Sequence, residues 1–302
     1  MDFGYNNADH IAEIDFSLPA DGAITGRTLI EASVNREPIF HIGGANPADL
    51  SWIGIAYPIG VGKKIMPSLY KKMFNSVELT STFYNMLSVS KLSQVKSNFN
   101  LSSIDDFHVY PIIPRDISHV KRFIDCSTET DIFIEQIKIF ESHLGGCFLQ
   151  VNDNFAPKHF DRLESYLRTF PKDVDLFVEI RHKVWFSDAE NRAKYFGLLN
   201  NLSIGTVITD TSGRRDALHM ELTTPKLFLR FVGIGGDFIE LDYKRIDSWI
   251  QRISYWIEKG LQKVIFFVHQ KGGEDIPKLL KYTIRQFNLR LGASLKEIEI
   301  IS

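Results

Sequence analysis

Apolar residues along this chain fall into two alternating patterns. Short runs rich in Val, Ile and Phe read as buried strands: "WIGIAY" (52–57), "SVELTST" (76–82), "FHVYPII" (107–113), "CFLQVN" (147–152), "LFVEIRH" (176–182), "GTVITDT" (205–211), "LFLRFVG" (227–233) and "VIFFVHQ" (264–270). Between most of them the apolar positions recur every three to four residues, as in "VSKLSQVKSNF" (89–99), "HFDRLESYLRTF" (159–170) and "RIDSWIQRISYWIEKGL" (245–261), which predicts amphipathic helices. Strand, helix, strand repeated in this way means parallel strands joined by crossovers. Eight such units close most naturally into a (β/α)8 TIM-type barrel, with a doubly wound open sheet as the alternative. The sixth unit is expected to be degenerate, because "SGRRDALHMELTTP" (212–225) is too short for a full crossover helix.

Residues 1–50 read as an N-terminal extension packing on the barrel, with "GRTLIEASVNREPI" (26–39) as a helix and "HIGGANPADL" (41–50) as a Gly/Pro loop. Residues 51–302 then form a single barrel domain, since no linker or low-complexity run divides them.

Composition narrows the classes. A chain of 302 residues with 44% hydrophobic content can bury a large core, and a formal charge of −2 gives no global attraction to nucleic acid or acidic membranes. No basic leader with an apolar core, and no apolar run of membrane-spanning length, is present, so a cytoplasmic protein with no membrane partner is expected. Cys126 and Cys147 form no CxxC pair and read as core residues of a reducing compartment.

Polar residues collect late in the strand runs, where barrel enzymes carry their chemistry. Glu78, Gln150, Glu179, Arg181, His182, Asp210, Arg230 and His269 all fall there. Strand alternation puts Glu179 and Arg181 on one face and Val178, Ile180 and His182 on the other, so the charged pair is expected to point inward. A purely structural ion-pair network is the competing reading, but five charged residues on four strands favour a pocket. The following loops add Thr80, Tyr84, Arg115, His119 and Arg214, and "GIGG" (233–236) offers the backbone of Gly235 and Gly236 to a phosphate.

From these residues the expectation is a hydrolase or lyase acting on a small anionic or sugar-phosphate-like ligand. Glu78, Glu179 and Asp210 are the carboxylate candidates and His119 and His269 the proton carriers. Thr80, Tyr84, Arg115, Gln150, Arg181, His182, Arg214, Arg230, Gly235 and Gly236 are the ligand-binding candidates. Glu78, Glu179, Asp210 and His269 offer metal donors, but no HxH or HExxH signature supports them and two arginines compete. No metal is assigned and the cofactor is left open. The alternatives are a catalytically silent ligand-binding scaffold and a nucleic-acid end-processing enzyme using Arg115, Arg122, Arg214 and Arg215. Near-neutral charge disfavours nucleic acid as a partner.

At "FNSVELTSTFYN", "PRDISHVKRF", "VEIRHKVWF" and "TVITDTSGRRD" the chain resembles the YecE-like family, domain of unknown function 72, from about Trp52 to the last helix. The resemblance implies a (β/α)8-type barrel and no established activity. It marks Glu78, Ser81, Thr82, Phe83, Tyr84, Ser118, His119, Glu179, Arg181, His182, Trp185, Asp210 and Arg230 as matching positions. The chain departs from the family pattern at three places: Thr80 for the usual Asn, Ile112 for a frequent Lys, and "FLQVNDNF" for "FQLPP". The loss of a lysine at Ile112 is the feature that favours the silent scaffold.

Overall fold

The computed structural model describes residues 8–32 and 37–301. Among these, eight parallel strands make up the sheets: β1 (Ile39–Gly44), β2 (Ser76–Leu79), β3 (His108–Pro111), β4 (Cys147–Gln150), β5 (Leu176–Glu179), β6 (Gly205–Asp210), β7 (Lys226–Gly233) and β8 (Lys263–Gln270). Six of them form one curled sheet in the order β1-β8-β7-β6-β5-β4, while β2 and β3 pair separately. Side chains and two isolated bridges, Val109–Leu144 and Ile112–Phe148, span the two seams. Asn75, just before β2, donates to the Phe40 carbonyl (2.7 Å) and accepts from the Ile42 amide (2.8 Å) of β1. Ile112, just after β3, bridges to Phe148 of β4.

Helices lie between the strands: α1 (Ala23–Ile30), α2 (Met66–Met73), α3 (Ser81–Tyr84), α4 (Val89–Phe99), α5 (Ser127–Ile137), α6 (Phe160–Thr169), α7 (Val184–Ser187), α8 (Ala189–Asn201), α9 (Ile239–Lys259) and α10 (Ile276–Leu291). Local chemistry sets their ends. The Ser88 and Asp188 side chains accept backbone amides at the starts of α4 and α8, and Asn100, in the left-handed region, closes α4. Between β6 and β7 the chain makes only a 3-10 turn at Arg215–Ala217, the degenerate sixth unit.

The first strand is not where the pattern placed it. "WIGIAY" forms a 3-10 turn and a loop with Trp52 and Tyr57 buried, because Gly54 turns the chain at φ +80°. β1 instead occupies "IFHIGG", within the stretch expected as an arm. Its glycines are strand residues: a side chain at Gly43 would collide with the Ser76 carbonyl and the Tyr70 hydroxyl, so glycine lets β1 approach β2. The expected helix over 26–39 ends at Ile30, and its residues 33–36 lie outside the described residues. The same is true of residues 1–7 of the leader reading.

Strand alternation divides the core into three parts. Even-numbered residues of β7, such as Phe228 and Arg230, face one side, and odd-numbered ones of β5, β6 and β8 share it. The inner cluster joins Phe83, Tyr110, Ile112, Phe148, Phe177, Val207, Phe228, Ile265 and Phe267 from both sheets. Outside the strands, one cluster packs β1, β7 and β8 on α9 and α10, and another packs β4 and β5 on α5, α6 and α8.

Candidate functional site

Above the inner aromatic cluster, toward the strand C-termini, the sheet carries a layer of charge. The Arg230 guanidinium of β7 donates to both Glu78 oxygens (3.1 and 2.9 Å) and to Glu179 Oε2 (2.8 Å), and it lies over the Phe148 ring at 5.2 Å. Glu179 Oε1 also accepts from Thr209 Oγ1 (2.5 Å) and Arg181 Nη2 (3.3 Å). His269 Nε2 sits 3.0 Å from Glu78 Oε2. Two carboxylates from β2 and β5 thus share one buried cation from β7, and Arg181 supplies the second positive charge.

This pairing fixes protonation. Burial pushes the Glu179 carboxyl up, but Arg181 and Arg230 outweigh it and bring its pKa down to about 2. Burial raises Glu78 too, and Arg230 and His269 overcome that, so both carboxylates are ionised at neutral pH. Burial lowers His269 further than the Glu78 charge raises it, so a neutral imidazole N–H donates here and the contact is a hydrogen bond rather than an ion pair.

Beside this layer, over the ends of β4 to β6, lies a cavity of about 200 Å³ whose wall includes Asp153, Glu179, Arg181, Thr209, Arg214 and His219. Arg181 is almost buried, and Arg214 from the β6–β7 loop donates to the Arg181 carbonyl (2.5 Å) and pairs with Asp216 (2.9 Å). Two guanidinium groups and one fixed carboxylate therefore face the same space. His219 is neutral, because burial brings it down to about 3. His119, on a turn at Asp116–Val120, has its Nδ1 on the Ser118 hydroxyl (2.8 Å) and its ring against Phe83 (5.1 Å). Burial lowers it, Arg115, Arg181 and Arg122 push the same way, and Asp153 opposes them. It is a neutral imidazole within the field of the cavity charges.

Not every expected residue joins this site. Gln150 is level with Glu179 in the β4–β5 register and buried, and its Oε1 accepts no hydrogen bond among the described residues. Thr80 precedes α3 at the end of β2, the exposed Tyr84 is its last residue, and Arg115 is exposed. His182 accepts the Val184 amide (3.3 Å) at the start of α7.

Asp210 lies on the opposite face of β6 from Thr209. There it is held by Arg245 (2.9 Å) and Trp249 Nε1 (2.7 Å) of α9 and by Arg215. Glu78, Glu179, Asp210 and His269 therefore do not converge as metal donors. The amides of "GIGG" are also spent internally: Ile234 and Gly235 donate to Asp242 (2.7 and 2.8 Å) and Gly236 to Asp275 (2.8 Å), so carboxylates of this chain fill the positions a phosphate would take. Of the basic loop residues, Arg215 is tied to Asp210 and the Ser17 carbonyl, and Arg122 to the Asn154 carbonyl, so they form no shared strip.

The residues that sequence reasoning passed over are Asp153, Thr209 and His219. Thr209 was within reach, since it alternates with Val207 on the inner face. Asp153 and His219 come from loops and carried no local signal.

A family described as "Protein of unknown function DUF72" matches residues 41–298. The UPF0759 protein YecE of Escherichia coli (strain K12) is 24% identical over 229 residues, covering 70% of this chain and 81% of that protein. Among solved structures, a DUF72 family protein from Thermotoga maritima MSB8 aligns with TM-score 0.63 at 20% identity, covering 82% of this chain and 98% of that one. Another, from Enterococcus faecalis V583, aligns with TM-score 0.63 at 14% identity over 84% and 99%. At these identities the solved structures speak for the fold alone.

Proposed function

The chain belongs to the DUF72 family, and on that premise we propose that it is an acid–base enzyme, a hydrolase or lyase, acting on a small anionic ligand in the cavity at the ends of β4 to β6. One observation carries this reading: Arg181 and Arg214 line the same cavity as Glu179, a carboxylate that Arg230 holds ionised and oriented from beneath. Arginine pairs suit oxyanions through planar, bidentate donors. In this reading Arg181 and Arg214 hold the negative group and neutral His119 accepts a proton. Glu179 then stabilises positive charge that develops beside it. Arg230 and Glu78 are positioning residues.

The eight strands are read as one (β/α)8-type ring whose two seams are closed by Asn75 and by the Ile112–Phe148 bridge. β1 is then part of a single domain, and only the residues before it form the arm.

Thermal shifts against inorganic phosphate, ribose 5-phosphate, glucose 6-phosphate and glucuronate test the proposal. A ligand at 100 times its Kd adds ~2.7 kcal/mol, so one of these raises the Tm by several degrees, and Arg214→Ala at the same ligand concentration cuts the rise to about half or less. No shift with any of them contradicts the reading. A shift without turnover favours the second reading, a silent scaffold. Its support is Ile112, fully buried in the inner cluster where the family resemblance implies a lysine.

A further inference from the structure

At the opposite end of the strands, away from the cavity, three donor side chains meet on the seam between the two sheets. His41 of β1 and His108 of β3 stack with ring centroids 4.0 Å apart and planes 17° from parallel. Asp106, just before β3, reaches to 3.6 Å from His108 Nδ1, too long for a hydrogen bond. That nitrogen is buried and has no hydrogen-bond partner among the described residues. One nitrogen from each imidazole and one Asp106 oxygen all lie within 4.8 Å of one another, the one such convergence of three His, Cys, Asp or Glu donors among the described residues. His41 Nδ1 is 2.5 Å from the Tyr110 hydroxyl, which leaves its Nε2 for another partner and fixes the ring from behind.

We infer that His41, His108 and Asp106 form a site for a borderline divalent cation of the zinc class, which clamps β1 to β3 across the seam. The donor set, two imidazole nitrogens and one carboxylate oxygen with room for water, is one that zinc takes. A four-coordinate zinc ion spaces its donor atoms roughly 3.4 Å apart. Closing from the present spacing therefore needs a swing of Asp106, whose side chain is 82% exposed, and a tilt of the rings out of their stack.

Burial lowers both imidazoles, with His108 and Lys263 adding to the effect on His41. Lys263 and His143 add to it on His108, while Asp106 opposes. The Lys263 ammonium is the charge that works against a cation here, and Asp106 is the one that works for it. A clamp has a use at this place, because β1 and β2 share no ladder and the seam is otherwise held by side chains: Asn75, the Tyr70 hydroxyl between Gly44 and Ser76, and the His41–Tyr110 contact.

Calorimetric titration of zinc chloride into the metal-stripped full chain tests the inference, independently of any activity. The wild type is expected to bind one ion at micromolar Kd or tighter with a Tm rise of several degrees. His108→Ala should weaken binding at least 100-fold, and Asp106→Asn, a surface change that leaves folding intact, at least tenfold. Cobalt(II) should show the strong visible absorption of a four-coordinate centre in the wild type and not in Asp106→Asn. No stoichiometric zinc binding by the wild type, or equal binding by both variants, overturns the inference. The second result would place the ion on other imidazoles.

Discussion

Two clusters of buried charge are built from neighbouring strands and resemble each other in composition. On the inner face, Arg230 joins Glu78 and Glu179; on the outer face, Arg245 joins Asp210 and Asp242 (2.9 and 2.7 Å). Each places two carboxylates around one buried guanidinium. The inner cluster continues through Arg181 to a cavity, while the outer one is covered: Phe16 and Phe231 lie over the Arg245 guanidinium at 4.9 and 4.5 Å, and Trp249 closes on Asp210. The outer triad fastens α9 and the N-terminal segment to β6 and β7. A buried charge late in a strand therefore does not by itself mark a site; the face it occupies does.

The largest effect expected is from Arg230→Met. It strands Glu78 and Glu179 without a cation, and urea unfolding should show a loss of about 3–5 kcal/mol. A loss below 1 kcal/mol would mean the carboxylates reach other partners and would end the case for a pinned Glu179. Asp210→Asn, in the outer cluster, should cost less, roughly 2–3 kcal/mol, because the amide oxygen can still accept from the two arginines while Arg245 keeps Asp242, and the Trp249 bond is the one lost. It should leave ligand binding at the cavity unchanged.

Next in size is the acid limb of stability. The folded pKa of Glu179, about 2, lies below its ordinary value of 4.5, so its contribution is complete above pH 4.5 and is lost as pH falls toward 2. Stability measured from pH 6 to 2 should fall less steeply over that window in Glu179→Gln than in wild type; parallel curves would contradict the assignment. The smallest stability effect is expected at the half-buried Arg214. Replacing it with Ala should cost under about 1 kcal/mol of folding while weakening the best anionic ligand about tenfold or more in a binding titration.

The sequence pattern found β2 to β8, each a β-branched or aromatic run and most with helical spacing after it. It missed β1, because Gly43 and Gly44 carry the composition of a loop and their reason for being glycine lies in another element, the Ser76 carbonyl and Tyr70 hydroxyl. In the site, alternation was enough to pair Glu179 with Arg181 and set them inward. The same alternation, carried to β6, separates Asp210 from Thr209, and grouping Asp210 with the mouth by its position late in the strand overlooked this. "GIGG" shows the other limit: its amides are available by sequence, but Asp242 and Asp275, which occupy them, are set by the packing of α9 and the approach to α10. Asp153 and His219 reach the cavity only through loop placement, which no local pattern encodes.

The contrast between the two clusters is tested most directly by one calorimetric comparison. The anionic ligand that gives the largest thermal shift is titrated into Glu179→Gln and Asp210→Asn, each first shown to be folded by circular dichroism. The account predicts that Glu179→Gln, which disturbs the cavity wall, loses at least tenfold in affinity, while Asp210→Asn binds as the wild type does. Equal losses in both variants, or undiminished binding by Glu179→Gln, would contradict it.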